Sequence, residues 1–290
     1  MITGSIVALV TPMCSDGSVD WPALDKLIDQ HIDAGTAAIG AVGTTGESAT
    51  LRVSEHCEVI EHCVKHCAGR VPVIAGTGSN STHEAIELTD AAASVGADAC
   101  LLVTPYYNRP TQRGLYEHHK AVAAAVAVPQ ILYNVPGRTA VDMHNDTTIA
   151  LSRIENIVGL KDATGDLSRV AALISGCGPE FALYSGDDET AMELILGGGK
   201  GVISVTANVA PALNAELVAA ALRGDRATAE SLNARMAGLY EALFLEANPI
   251  PVKWALHHLG LIGKTLRLPL TPLDERYHAQ VIAALEAAGV

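Results

Sequence analysis

Aromatic residues make up only 4 % of this 290-residue chain, with two tryptophans and two phenylalanines. Its interior must therefore be filled by aliphatic side chains, and a hydrophobic share of 49 % is ample for a large core. Val, Ile, Leu and Ala in this abundance suit parallel strands covered by alanine-rich helices. Positive charge is also scarce. Nineteen Lys and Arg stand against 32 Asp and Glu, a net charge of −13, which argues against nucleic acid or an anionic membrane as partner. A small anionic substrate stays compatible, because local positive charge in a cleft can outweigh a negative exterior. No apolar run reaches the roughly 20 residues needed to span a bilayer. The opening run, Met1 to Val10, has no basic leader and stops at Thr11-Pro12. It reads as a first strand, not a signal peptide, and a cytoplasmic location is expected.

Metal and disulfide frameworks are missing too. The six cysteines show no CxxC spacing, and there is no HExxH. In the densest stretch, residues 55–67, the pairs His62/His66 and Cys63/Cys67 are each spaced i,i+4 and each share a helix face. A buried stripe of Cys63 and Cys67 with Val59 and Ile60, with His56, His62 and His66 turned to solvent, explains the pattern, and no metal is expected. The glycine-rich run 197–201 resembles a phosphate cradle but has no Walker spacing. It precedes the last predicted strand, so it reads as a tight turn at the far end of the fold from the strand ends that carry chemistry.

Eight short apolar runs, most of them carrying β-branched residues, recur at 6–11, 37–43, 71–76, 99–104, 130–133, 157–161, 182–185 and 202–205. Helical patterns lie between them, one opened by Ser81 with Glu84 three residues on, as in a capping box, and closed by Gly96. Strand and helix alternating eight times predict an α/β fold, a (β/α)8 TIM barrel. From Pro211 onward the pattern is helical only, its last segment falling near 272–288. The expected division is a barrel over 1–224 and an appended C-terminal helical region over 225–290.

In such barrels the chemistry sits at the carboxyl ends of the strands. Read in order, those ends bring Thr44 and Thr45, Tyr106 and Tyr107, Tyr133, Lys161 and Gly186 to one face. Of seven lysines, Lys161 alone directly ends a predicted strand. Burial in a low-dielectric barrel mouth favours the neutral amine, a nucleophile for carbonyl carbon. A lysine flanking a strand can also simply reach solvent; the surrounding hydroxyls favour the nucleophile. Thr44 could merely cap a turn, Tyr106 or Tyr107 pack a loop, and Arg138, after Pro136-Gly137, sit in a solvated turn, but all of them meet at the correct strand ends.

At these positions the chain resembles the dihydrodipicolinate synthase family of class I pyruvate-dependent aldolases, to which N-acetylneuraminate lyases also belong. The resemblance is carried by Gly43-Thr44-Thr45-Gly46-Glu47-Ser48, Tyr106-Tyr107-Asn108, the run from Tyr133 to Thr139, the run from Gly159 to Gly165, Ser185-Gly186-Asp187-Asp188 and the run from Asn248 to Lys253. Asp162 departs from the Glu more usual in the family but keeps its charge. The resemblance implies an enzyme that condenses pyruvate with L-aspartate-4-semialdehyde, giving 4-hydroxy-tetrahydrodipicolinate for diaminopimelate and lysine biosynthesis. It needs no cofactor, since a covalent imine on Lys161 is the electron sink. Tyr133 is implied as acid/base, with Thr44 and Tyr107 as its proton route to solvent, Tyr107 reaching in from a neighbouring subunit. Thr45, Arg138, Gly186 and Ile203 are implied in substrate binding, Arg138 on the aldehyde's carboxylate. A homotetramer, a dimer of dimers, is implied as well. Ser48, Ala49, His56, Asn80, Glu84 and Tyr106 match the site at which relatives bind lysine as feedback inhibitor. Val53 replaces a histidine sometimes found there, so weak or absent inhibition is expected. A sugar-acid aldolase is the nearest rival reading, which Arg138 disfavours; a non-catalytic barrel is the other, which the Lys161, Tyr133 and Thr44 set disfavours.

Overall fold

The short apolar runs pair as eight parallel strands, and the computed structural model, which describes residues 1–290, closes them in sequence order into a barrel. The strands are β1 Gly4–Ala8, β2 Ala38–Ala41, β3 Val73–Gly76, β4 Ala99–Val103, β5 Gln130–Asn134, β6 Ile157–Asp162, β7 Ala182–Ser185 and β8 Gly201–Ser204. Around them lie α1 Trp21–Asp33, α2 Val53–Cys67, α3 Thr82–Ser94, α4 Gln112–Ala125, α5 Pro136–Thr139, α6 Asn145–Leu151, α7 Val170–Cys177, α8 Ala191–Leu196 and α9 Pro211–Leu222. The helices α10 Arg226–Ala242, α11 Ile250–His258 and α12 His278–Ala288 follow the barrel. None of these helices is long and apolar enough to cross a membrane.

Alternation along each strand sorts side chains into two shells. Ile6, Ala8, Ile74, Leu101, Ile131, Tyr133, Tyr184 and Ile203 fill the barrel interior. The residues between them pack outward against the helices in two further clusters, of 55 and 14 residues. Lys161 is register partner to the inward Tyr133 on β5 and Tyr184 on β7, so the same parity turns it inward.

Several expectations need correction. The short helix α5 interrupts a predicted loop; Pro136 at its first position supplies a helix-ready φ and needs no N–H partner there. The last helix begins at His278, six residues later than the helical pattern from 272, after a 3-10 turn at Glu275–Tyr277. Ser81 does cap α3, its hydroxyl accepting from the Glu84 N–H, but the Glu84 carboxylate turns to the Ser79 hydroxyl, so the reciprocal box does not close. His56 is buried, not solvent-facing, with Nε2 2.7 Å from the Gly76 carbonyl, and burial pushes its pKa below the ordinary range. His62 and His66 are half-buried against aspartates of α1. Cys63 and Cys67 do lie in the core beside Val59 and Ile60, and run 197–201 does form a turn at the amino-end foot, the Lys200 N–H bonding the Leu183 carbonyl.

Candidate active site

Neighbouring positions on β5 and β6 place Tyr133 beside Lys161, with the lysine Nζ 4.3 Å from the centre of the phenol ring. Both are almost wholly buried, at 8 % and 5 % exposure. Gly186, at the end of β7, makes room for the lysine: a Cβ there would stand 2.8 Å from Lys161 Cε and 2.8 Å from Ala163 Cβ. Above the amine opens a cavity of about 140 Å³, which Thr44, Thr45, Arg138, Gly186 and Ile203 also line. That volume is below the several hundred Å³ of sites for drug-sized ligands and suits a small acid. Seven predicted site residues thus meet in one cavity.

The loop carrying Thr44 and Thr45 is held in unusual backbone geometry. Val42 and Glu47, which bracket it, have φ of 54° and 57°, a left-handed region that a β-branched residue enters only under constraint. Gly76 permits the approach, since a Cβ there would meet the Val42 carbonyl at 2.4 Å. Thr11 Oγ1 donates to the Gly46 carbonyl at 2.7 Å. Glu47 is buried and ion-paired with Lys253 from α11, whose ammonium also donates to the Thr11 carbonyl at 3.0 Å. Burial pushes the Lys253 pKa down, and the Glu47 carboxylate opposes that shift. A second carboxylate oxygen of Glu47 accepts from the Arg267 N–H at 3.1 Å.

Residues 248–253, shared with the family but without a role legible in sequence, complete this frame. Asn248 Nδ2 donates to Thr45 Oγ1 at 3.0 Å, and Arg138 Nη2 donates to the Asn248 carbonyl at 3.2 Å. Asn248, Asp187 and Phe244 line the cavity as well. In the sequence only the family resemblance of the 248–253 run signalled this; the contacts span some 110 to 206 residues of chain.

A profile of the Dihydrodipicolinate synthetase family matches residues 1–288. The 4-hydroxy-tetrahydrodipicolinate synthase of Thioalkalivibrio sulfidiphilus is 68 % identical over 290 residues, covering 100 % of this chain and 99 % of the relative. The chain belongs to the dihydrodipicolinate synthetase family. Among solved structures, the chloride-inhibited dihydrodipicolinate synthase of Acinetobacter baumannii, complexed with pyruvate, matches at a TM-score of 0.99 with 58 % identity over 100 % of both chains. DHDPS from Cyanidioschyzon merolae with lysine bound matches at 0.96 with 42 % identity, covering 99 % of this chain and 98 % of that one.

Of the residues that the family resemblance nominates for catalysis, Tyr107 is the one this chain does not bring to its own cavity. It is 91 % exposed, at a φ of 71°. Its loop is nonetheless tethered: Asn108 Nδ2 donates to the Asn80 carbonyl at 2.8 Å, and Asn80 Nδ2 donates to the Tyr106 carbonyl at 3.2 Å. A second cavity of about 450 Å³ shares Thr44, Arg138 and Asn248 with the first and is lined by Ser48, Ala49, His56, Glu84 and Tyr106. Val53 also lines it. Asn80 stays outside that lining, next to Ser79, which belongs to it, and bonded to the carbonyl of Tyr106.

Proposed function

We propose that Lys161 performs this family's reaction as an imine-forming nucleophile, with Tyr133 as its acid/base partner. The activity is that of 4-hydroxy-tetrahydrodipicolinate synthase, in lysine biosynthesis. The observation that carries the residue assignment is the buried Lys161 amine beside the Tyr133 ring, at the floor of a cavity sized for a small acid. The neutral amine adds to C2 of pyruvate; the carbinolamine loses water and leaves a protonated imine. That cation accepts the electron pair released when C3 gives up a proton, and the resulting enamine attacks the aldehyde carbon of aspartate-4-semialdehyde. The aldehyde oxygen takes a proton and becomes the 4-hydroxyl. The amino group of the second substrate then attacks the imine carbon, closes the ring and expels Lys161 as the free amine.

Tyr133 moves protons at the imine nitrogen and the carbinolamine oxygen. A phenol is a poor base at neutral pH and needs a relay to solvent; Thr44, in the same cavity, begins it. Tyr107 completes it from a second copy of the chain, the arrangement supported by an aromatic side chain held fully outward on a tethered loop. The functional particle is a dimer at least, and a dimer of dimers by family resemblance, working in the cytoplasm. The Thr45 hydroxyl and neighbouring backbone N–H groups take the pyruvate carboxylate. Residues 225–290 form a helical region whose Lys253 and Asn248 brace the loop of Thr44 and Thr45.

Pyruvate followed by borohydride should add one pyruvyl adduct per chain, mapped by peptide mass to Lys161. An adduct on Lys200 or Lys253 would overturn the assignment. Arg138, exposed at the lip of the cavity, offers a bidentate guanidinium for the carboxylate of the second substrate. Arg138→Ala should raise the KM for aspartate-4-semialdehyde at least tenfold while pyruvate trapping proceeds as before; equal loss of both would make its role structural.

The second cavity is read as a lysine site weakened by Val53. A hydrogen bond to a charged ligand contributes about 1.5–3 kcal/mol, so losing one costs more than tenfold in affinity. Glu84, already engaged by Ser79, has one carboxylate oxygen committed before any amine arrives. Inhibition should need millimolar lysine or more, and Val53→His should strengthen it; strong inhibition of the unaltered enzyme at sub-millimolar lysine would sink this reading.

A further inference from the structure

On the outer surface of the barrel, two helices present matched pairs of metal-binding side chains. The i,i+4 spacing puts Asp25 and Asp29 on one face of α1, and the same spacing puts His62 and His66 on one face of α2. The helices pack side by side, and the pairs meet. His62 Nε2 lies 2.6 Å from Asp25 Oδ1, and His66 Nδ1 lies 3.1 Å from that same oxygen. The other nitrogen of His66 lies 3.0 Å from Asp29 Oδ1, which also accepts from Arg70 at 2.8 Å. The two imidazoles are parallel to within 4°. One ligand atom each from Asp25, His62 and His66 falls within a span of 4.8 Å.

We propose that Asp25, His62 and His66 form a site for a divalent transition-metal ion that cross-links α1 and α2. Two imidazole nitrogens aimed at one carboxylate oxygen leave a gap that protons can bridge pair by pair, or that one cation can bridge for all three groups. The nitrogen–oxygen separations of 2.6 and 3.1 Å are shorter than the roughly 3.3–3.6 Å between ligands about 2.0–2.2 Å from a tetrahedral zinc, so rotation of the Asp25 and His62 side chains by up to about 1 Å opens the site. Two imidazoles and a carboxylate suit Zn²⁺ or Co²⁺, with water completing the coordination, and disfavour Mg²⁺ and Ca²⁺, which prefer all-oxygen shells. The side chains are between 24 % and 35 % exposed, so an ion can enter from solvent. Asp29 holds the outer nitrogen of His66 and orients the ring, as carboxylates commonly do behind metal-bound histidines. Cys63 and Cys67, on the same helix, face the core, where burial pushes the Cys67 thiol up to about 11, so the softer ligands are withheld. The site lies on β2's side of the barrel, across from Lys161 on β6, so the enzyme's chemistry does not need it; its consequence is a staple between two helices.

Trp21 supplies the reporter, its ring centre 4.7 Å from that of His62. In a Trp254→Phe background it is the sole tryptophan, and Co²⁺ titration should quench its fluorescence saturably with one ion per chain. Zn²⁺ should displace the Co²⁺ and raise the unfolding temperature. Asp25→Asn, His62→Gln and His66→Gln should each weaken Co²⁺ at least tenfold, and the His62→Gln/His66→Gln pair should abolish the quenching and bind one metal fewer by equilibrium dialysis. Undiminished borohydride trapping of pyruvate in each variant shows that the chain is folded. Quenching that never saturates, or that survives in the double variant, overturns the proposal, as does equal metal stoichiometry in the double variant and the parent.

Discussion

Lys161→Ala should abolish both turnover and pyruvate trapping, while Tyr133→Phe should keep the nucleophile and slow every step that moves a proton. Loss of a positioned acid/base typically costs 10²–10⁴-fold, or about 3–5 kcal/mol of barrier at 1.36 kcal/mol per decade. The two variants separate because they act on different atoms. Without the amine no covalent intermediate exists, and no other lysine lines the cavity. Without the phenol oxygen the Lys161 amine remains beside the ring, 4.3 Å away in the parent, and imine formation should still reach completion, only slowly. The decisive measurement is rapid quenching with borohydride at timed intervals, read by intact mass, alongside steady-state kcat. If Tyr133→Phe traps pyruvate at the parent rate and turns over within a few-fold of it, the ring is a wall of the cavity and the acid/base lies elsewhere. Circular dichroism of both variants should match the parent, because Phe conserves the ring's packing and Ala removes only a stem for which Gly186 had left space.

The second large effect concerns stability. Lys253→Met should strand the buried Glu47 carboxylate, leaving it the Arg267 N–H in place of its ion-pair partner. Breaking a buried pair from one side costs about 3–5 kcal/mol. At roughly 2 cal/mol/K of unfolding entropy per residue, that lowers the unfolding midpoint by about 5–8 °C. Adding Glu47→Gln should recover part of the loss, because it removes the uncompensated charge. The damage should also reach catalysis. Glu47 ends the segment that begins at Val42, and both sit in left-handed backbone; this costs on the order of 1–3 kcal/mol per residue and persists only while neighbours enforce it. Released, the segment should relax and carry Thr44 and Thr45 away from Lys161. Scanning calorimetry of the single and double variants, with KM for pyruvate, checks both parts. A single variant as stable as the double would mean that Glu47 is solvated or re-paired when Lys253 is gone.

The eight strands were legible from local sequence because a buried parallel strand is a short apolar run, in most of the eight carrying Val or Ile, although β7, Ala182–Ser185, has no β-branched residue. Boundaries were less legible. The pattern from 272 is apolar enough for a helix, yet the chain takes a 3-10 turn before His278, since hydrogen bonding, not hydrophobicity, decides where a helix begins. Lys161 and Tyr133 could be nominated because strand ends in a barrel share one mouth, and alternation alone turns a residue in or out. His56 was misread for a related reason: helical periodicity shows a polar face, but not that a neighbouring carbonyl, that of Gly76, waits to receive it.

By itself, then, the sequence determined the strand count, the parity that points Lys161 inward, and the motifs that place the chain in its family, all properties of residues near one another along the chain. Tertiary structure alone decided what joins distant segments. It brought Lys253 and Asn248 across some two hundred residues to hold the loop of Thr44 and Thr45, turned Tyr107 outward, and set Asp25 against His62 and His66. No local pattern records such pairings, because each partner taken alone is an ordinary polar residue, and only closure of the barrel fixes which of them meet.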